Sequence, residues 1–302
     1  MSTSAATAPA AQPRALSASD LAMLGVVVAW GTNYTVVKEV VGVMPPLAFM
    51  SVRFAIASVA MLALLLVVEG WKPLRRGVFL KLAGLGLVGN TLYQLCFVLG
   101  VANTTAANSG LLTAATPVMV AALGAVLGVE RLSRPLVMGL SLAVVGMVLV
   151  VAARGPAMGA NTRLGDVLIL GACACWAIYT VGIRSLGNEV SALQITAVTM
   201  LTGAPGVILA GLPAVLDLDA GSLHGGAWVG MVYTALIPLV LGYFIWGRTV
   251  QQVGSARAAL YNTGVPIVAA LTAWAVRGER PTPFQALGAA FILGGVVLSR
   301  RK

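Results

Sequence analysis

Two related segments of the sequence decide its organisation: AWGTNYTVVK at residues 29–38 and CWAIYTVGIR at residues 175–184. In each, a tryptophan, Trp30 or Trp176, is followed eight residues later by a base. Repetition at this distance indicates that the chain consists of two related halves.

A second pair of segments supports the same division. PVMVAALGAVLGVER at 117–131 and PIVAALTAWAVRGER at 266–280 share their proline, glutamate and arginine at a constant offset of 149 residues. The two pairs together predict halves at about 20–153 and 165–302, joined by a linker at 154–164.

The composition excludes a soluble enzyme. Of 302 residues, 59% are hydrophobic and 9% are charged, whereas a soluble domain is about half apolar and about a quarter charged. So few charged groups cannot cover a surface that faces water. We therefore expect an all-α polytopic membrane protein.

Apolar runs of about 18 to 24 residues, each long enough to cross a bilayer as a helix, recur after residue 20. Residues 1–19 are rich in Ala, Ser, Thr and Pro and predict a disordered cytoplasmic tail. The ten predicted spans are roughly Leu21–Val37, Pro46–Val68, Phe79–Val101, Thr105–Val129, Leu136–Ala153, Gly165–Ile183, Ala192–Leu212, Ala227–Trp246, Ala256–Val276 and Phe284–Leu298.

The basic residues predict the orientation. The formal charge is +10, and ten spans place 13 bases on the side of the termini and 5 on the other side. Basic loops stay in the cytoplasm, so both termini are expected there. The bases stand in short clusters between apolar runs, which indicates membrane orientation and not a nucleic-acid partner.

Five spans in each half, an odd number, place the second half upside down relative to the first. Inverted repeats are typical of secondary transporters, whose substrate site lies near the bilayer midplane between the repeats. The sequence therefore predicts an external linker and a transport function.

The two five-span halves, the Trp-x7-Lys/Arg ends and the Pro-x12-Glu-Arg segments resemble the drug/metabolite transporter superfamily, with its ten-helix chains of paired EamA domains. Within it, the chain is most similar to the YddG-type aromatic amino-acid exporters. The resemblance implies a multi-pass protein of the bacterial inner membrane that exports small metabolites.

Polar and aromatic residues at helical spacing predict a central cavity, because polar side chains within a span normally face protein or water. The alternative is that they form interhelical hydrogen bonds and interfacial aromatic belts. The predicted substrate-binding residues are Trp30, Asn33, Tyr34, Asn90, Tyr93, Gln94, Trp176, Tyr179, Thr180, Tyr243, Trp246, Tyr261 and Asn262.

Other residues are predicted to gate the cavity. Pro117 and Pro266, near the middles of the fourth and ninth spans, predict paired bends, with a simple packing kink as the alternative. Lys38 is expected to form a structural salt bridge or to reach the membrane surface, with an external gate as the sharper alternative, and Arg184 is its cytoplasmic counterpart. Arg53, inside the second span, is expected to reach outward toward Glu39 in preference to a substrate carboxylate.

No cofactor or metal site is predicted. The sequence lacks a phosphate-binding Gly-x4-Gly-Lys-Ser/Thr motif, and its carboxylates all fall at span ends or in loops. The glycines at 84, 86 and 89 spell a dinucleotide fingerprint, but they lie in a membrane helix and indicate close helix packing. Cys173 and Cys175 point to different faces of one helix and cannot share a metal.

These features favour a non-enzymatic, ATP-independent exporter of neutral or aromatic amino acids that works by alternating access, without an obvious proton carrier. The alternatives are a proton-coupled exporter of cationic drugs, a carrier of sugar or nucleotide conjugates, and a membrane scaffold or receptor. We expect the chain to act in the bilayer on small molecules as a monomer or weak homodimer. Helices five and ten are expected to face lipid or a partner subunit.

Overall fold

A computed structural model describes residues 18–127, 134–152, 160–186, 189–253, 258, 261–262 and 264–298. These residues form helices and short connections, with no strand among them. The helices are α1 (Ala18–Val40), α2 (Pro46–Val68), α3 (Arg76–Asn103), α4 (Ala106–Val126), α5 (Arg134–Ala152), α6 (Ala160–Arg184), α7 (Ala192–Leu216), α8 (Gly225–Gln252), α9 (Val265–Arg277) and α10 (Pro283–Leu298).

Seven of these helices, α1–α4 and α6–α8, are long and apolar enough to cross a membrane. The other three are apolar but have shorter qualifying stretches. The all-helical membrane fold is thus confirmed, while the count of ten crossings and the side of the termini stay predictions. The predicted tail and residues 154–159 of the linker lie outside the described residues, except that α1 begins at Ala18.

The outer surface is suited to lipid. Val67, Val126 and Leu216 are 85%, 82% and 76% exposed. Large apolar side chains so exposed on several helices would be costly in water, whereas hydrocarbon solvates them well.

The helix packing is the same when the two halves are exchanged. Corresponding helices of the two halves pack on each other: α2 on α7, α4 on α9 and α5 on α10. In the same way, α1 contacts α8 and α9, while its counterpart α6 contacts α3 and α4. Each of these helix contacts therefore has a counterpart with the halves exchanged, which is the packing expected of two related repeats.

Helices α5 and α10 each bury one face against the other. A Cβ atom at Gly146 would come within 2.5 Å of the Gly288 carbonyl oxygen, so the two backbones are almost in contact. Val144 and Val148 on α5 and Val297 on α10 remain exposed. The outer faces of this pair are therefore free to meet lipid.

Close packing also explains two of the three glycines in the fingerprint. A Cβ atom at Gly86 would lie 2.5 Å from the Thr199 carbonyl oxygen of α7, and one at Gly89 would lie 2.6 Å from Cγ of Tyr179 in α6. Gly84 faces open space. The prediction that these glycines serve helix packing is confirmed for Gly86 and Gly89.

Three helices depart from regular α geometry. Residues Leu87–Leu92 of α3 and Ala235–Leu241 of α8 form π-helical turns, at corresponding places in the two halves. Residues Thr113–Ala115 of α4 form a 3₁₀ turn. Such irregular turns often mark functional sites, and all three lie beside the cavity described next.

Candidate functional site

A cavity lies at the centre of the bundle, where α1, α2, α3, α4, α6, α8 and the start of α9 meet. The volume open to the centres of water molecules is about 60 Å³. The lining residues are Trp30, Asn33, Tyr34, Arg53, Tyr93, Gln94, Phe97, Thr113, Thr116, Ala172, Cys173, Trp176, Pro238, Leu239, Tyr243, Asn262 and Val265.

Aromatic rings from both halves form one wall. The Trp30 and Trp176 rings meet edge to face at 5.7 Å, and the Trp176 and Tyr243 rings lie 4.9 Å apart. Tyr93 approaches Trp176 at 5.3 Å. These edge and tilted geometries are favourable for aromatic pairs, and together the rings form an aromatic wall of the cavity.

Trp30 is held in place by α8. Its indole Nε1 donates a hydrogen bond of 2.9 Å to the carbonyl oxygen of Pro238, within the π-helical turn. Gly242 gives the ring room, since a Cβ atom there would lie 2.6 Å from Nε1. The two halves therefore meet at this ring through a specific hydrogen bond.

Arg53 is the charged residue of the lining. It is 1% exposed, and its Nη2 donates to Oε1 of Gln94, whose Nε2 in turn donates to the Tyr243 hydroxyl at 3.4 Å. The guanidinium carbon lies 5.1 Å from the centre of the Phe49 ring and 5.8 Å from that of Phe97.

The expectation that Arg53 reaches toward Glu39 is wrong. Glu39 pairs instead with Arg277, from the end of α9. The sequence placed Arg53 and Glu39 at the same end of neighbouring spans, but it could not show that a residue 238 positions away would take up the carboxylate. Arg53 lies in the cavity lining instead.

Of the thirteen predicted binding residues, eight line the cavity and five do not, so the structure brings together the larger part of the set. Whether they bind a substrate stays a prediction. The eight are Trp30, Asn33, Tyr34, Tyr93, Gln94, Trp176, Tyr243 and Asn262.

The other five lie behind or beyond the wall. Asn90 and Thr180 are fully buried, and Trp246 packs 5.5 Å from the Trp30 ring. Tyr179 shares a 3.3 Å hydrogen bond with Thr199 of α7, and Tyr261 donates to Asp20 in the first turn of α1.

The remaining lining residues were not in the predicted set. Helical spacing indicates several of them, because Phe97 follows Tyr93 by one turn and Ala172 and Cys173 precede Trp176 by one turn. Leu239 likewise precedes Tyr243 by four residues, whereas Pro238 lies five residues before Tyr243, within the π-helical turn. The other additions are Arg53, Thr113, Thr116 and Val265.

Both predicted kink prolines begin a helical segment. Pro117 follows the 3₁₀ turn in the middle of α4, and Pro266 is the second residue of α9. A proline in the first turn of a helix leaves no hydrogen bond unmade. Pro117 therefore marks a break within α4, whereas Pro266 lies at the start of α9 as described and not at its middle.

The two predicted gate bases lie at helix ends. Lys38 Nζ donates to the carbonyl oxygens of Val101 and Ala102, at 2.9 and 2.8 Å. A positive charge there stabilises the C-terminal end of α3. Arg184 is exposed in the last turn of α6.

A second polar cluster surrounds Asp166, which is 1% exposed in the second turn of α6. Its carboxylate accepts hydrogen bonds from Thr104 Oγ1, at 2.7 Å, and from Asn108 Nδ2. Gln285 of α10 donates to Asn108 Oδ1 at 3.3 Å. Asp166 was predicted at a span end, but its burial was not predicted.

The sequence matches the EamA-like transporter family over residues 17–152 and 163–301. A probable amino-acid metabolite efflux pump of Escherichia coli is 29% identical over 92% of this chain and 93% of its own. The uncharacterized transporter YyaM of Bacillus subtilis is 27% identical, over 91% of each chain.

Two further similarities cover much of the chain. A probable terminal-alkyne amino-acid exporter of Streptantibioticus cattleyicolor is 29% identical over 72% of this chain and 71% of its own. A crystal structure at 19% identity has the same fold, with a TM-score of 0.67 over 95% of this chain and 98% of that one. The family match spans both halves, so the chain belongs to the EamA-like transporter family, within the superfamily that its repeated segments resemble.

Proposed function

We propose that this protein is a secondary transporter of the bacterial inner membrane that exports neutral or aromatic amino acids through the central cavity. The observation that carries the proposal is the cavity wall, where aromatic rings of both halves meet beside the amides of Asn33 and Gln94. The names of the relatives, an amino-acid metabolite efflux pump and an amino-acid exporter among them, support the same solute class.

The proposed architecture is ten spans in two inverted repeats, 20–153 and 165–302, with an external linker at 154–164 and cytoplasmic termini. The exchangeable helix pairing supports it. In such a protein the two repeats rock about a midplane site, which opens to one side of the membrane at a time.

Polar contacts at the proposed external end fit a closed outer side. Arg277 bridges Glu39 and Glu279, with 2.8 Å between its Nε and the Glu279 Oε1 atom. Glu279 Oε2 also accepts from the Ala107 backbone N–H at 3.0 Å, at the start of α4. These contacts join α1, α4 and the end of α9, and outward opening would have to break them.

We further propose that export is uncoupled, driven by the solute gradient alone. No aspartate or glutamate is among the described residues of the cavity lining, so solute and proton have no common carboxylate there. The alternative is a proton-coupled exporter of cationic drugs or other metabolites, and the buried Asp166 is the observation that favours it. A buried acid is the usual proton carrier of such transporters.

The test is counterflow in proteoliposomes loaded with an unlabelled solute and given the labelled solute outside. Tryptophan, phenylalanine, threonine and a quaternary-ammonium dye are compared, each with and without a pH gradient. We expect the amino acids to exchange at the same rate with and without the gradient. Exchange of the dye alone, dependent on the gradient and lost in Asp166→Asn, would instead establish the proton-coupled alternative.

A matched pair of variants tests whether the cavity is the site. Asn33 lines the cavity and its buried Oδ1 has no hydrogen-bond partner among the described residues, whereas Asn103 lies outside it and donates to Leu99 O at 2.8 Å. We expect Asn33→Ala to slow counterflow without lowering the Tm, and Asn103→Ala to leave counterflow unchanged. Equal counterflow in both variants would remove Asn33 from the site.

A further inference from the structure

Arg53 is buried in an unusual way for an arginine. Buried charges are normally paired with an opposite charge, yet this side chain is 1% exposed and its Nη2 donates to the neutral amide of Gln94. Its Nε and Nη1 atoms have no hydrogen-bond partner among the described residues. Two nitrogens of a permanent cation that lines the cavity are therefore left without a hydrogen-bond acceptor among the described residues.

Nothing in the described part of the cavity lining balances this charge. The lining includes no aspartate or glutamate, and the carboxylate of Glu39 is engaged by Arg277 at the end of the bundle. In a site from which most water is excluded, an unbalanced cation attracts an anionic group strongly and repels a cationic one.

The guanidinium is also fixed in position. Gln94 holds one nitrogen, and the rings of Phe49 and Phe97 flank the guanidinium carbon at 5.1 and 5.8 Å. A planar guanidinium held in this way is suited to a carboxylate, which accepts two parallel N–H bonds from it. Little further ordering is needed when such a group binds its partner.

We propose that Arg53 binds the carboxylate of the transported solute, so that a free carboxylate is required for transport and an α-amino group is not. The solute would then lie between Arg53 and the wall of Trp30, Trp176 and Tyr243, with its apolar part against the rings. This inference rests on the proposed function, which it narrows from neutral or aromatic amino acids to solutes with a free carboxylate.

The first experiment uses the wild-type protein, so it does not depend on whether a variant folds. Counterflow of the labelled amino acid that exchanges fastest is competed with its amide, which lacks the carboxylate, and with its desamino acid, which lacks the amine. We expect the desamino acid to compete nearly as well as the amino acid. The amide should need about 10- to 100-fold higher concentration, the factor for losing a hydrogen bond to a charged group.

The second experiment compares Arg53→Gln with Arg248→Gln, a matched change at an exposed position of α8. We expect Arg53→Gln to raise the KM for the amino acid and to make amide and desamino acid compete equally. Arg53→Lys should restore part of the preference, because it keeps the charge without the planar fork. Arg248→Gln should leave the preference unchanged.

The outcomes separate the two proposals. If no amino acid exchanges at all, the proposed function fails. If the amino acid exchanges but its amide competes equally in the wild type, only the role of Arg53 fails. The role of Arg53 also fails if folded Arg53→Gln keeps the wild-type preference for the carboxylate.

Discussion

The two halves of the molecule have the same helix packing but contribute different chemistry to the cavity. Trp30 of the first half meets its counterpart Trp176, and Gln94 meets Tyr243, which lies 149 residues later at the corresponding place in α8. Arg53 has no such match. Its counterpart in α7 is Thr199, whose side chain donates to Thr196 O at 3.1 Å within the same helix.

This difference separates two tasks. In the proposed alternating-access mechanism, matched helices would let the bundle adopt two related arrangements, which requires a symmetric backbone. The proposed solute, with one charged end, would require a single oriented partner and therefore an asymmetric lining. The first half supplies the cation and its amide, and the second half supplies mainly rings and apolar groups.

The largest effect should come from separating the halves where α3 meets α7. In Gly86→Leu the new Cβ atom would lie 2.5 Å from the Thr199 carbonyl oxygen, and backbone cannot yield as a flexible side chain can. We expect a loss of about 3 kcal/mol or more of stability, or failure to fold. The measurement is the Tm of the purified protein. Gly84→Leu, which faces open space, is the control and should keep the wild-type Tm.

The next largest effect is expected at Gln94 and Tyr243, which occupy corresponding positions in the two halves but have different contacts. Gln94→Leu removes the acceptor of the Arg53 guanidinium, which should cost about 2 kcal/mol and lower kcat/KM about tenfold or more. Tyr243→Phe removes a hydroxyl whose contact with Gln94 is 3.4 Å long, and should lower kcat/KM about twofold. The measurements are the counterflow rate and the Tm of each variant. An equal loss of kcat/KM in both variants would mean that the two halves contribute equally to transport.

A smaller effect is expected at the matched tryptophans. Trp30→Phe keeps a ring but loses the hydrogen bond to Pro238 O, which should cost about 1 kcal/mol. Such a loss leaves the π-helical turn of α8 less firmly attached to α1. We expect the Tm of Trp30→Phe to fall by an amount that corresponds to this loss of stability. Trp246→Phe is the control, because it makes the same change of ring size in the same aromatic cluster.

The smallest effect on stability should come from the ion pair that joins the halves at the proposed external end. The side chains of Arg277 and Glu39 are 29% and 54% exposed, and exposed pairs contribute about 0.5 kcal/mol. Glu39→Gln should therefore leave the Tm almost unchanged. If these contacts close the outer side, the same variant should speed counterflow. Unchanged counterflow would show that the pair does not gate.

The sequence predicted the cavity-lining residues correctly where their placement depends on helical spacing alone. Trp30, Asn33 and Tyr34 share one face of α1, and their place in the cavity could be predicted because an α-helix repeats every 3.6 residues. Tyr93, Gln94 and Trp176 were found in the same way. The family also followed from two repeated segments, without any contact being known.

Other features depend on contacts between distant residues. The partner of Glu39 comes from α9, so the inward orientation of Arg53 could not be predicted from α1 and α2 alone. Pro238 lines the cavity because a π-helical turn shifts it out of the ordinary spacing. The burial of Asp166 depends on Asn108 and Thr104, which approach it from α4 and from the turn before α4.

The π-helical turns of α3 and α8 have a consequence for register. Tyr93 and Gln94 come directly after one turn, and Tyr243 comes two residues after the other. An α-helix advances about 100° per residue. If the π-helical turn moved along the helix past one of these residues, the side chain of that residue would rotate to a different face. Such a shift would change which side chain lines the cavity while the two ends of the helix stay in place.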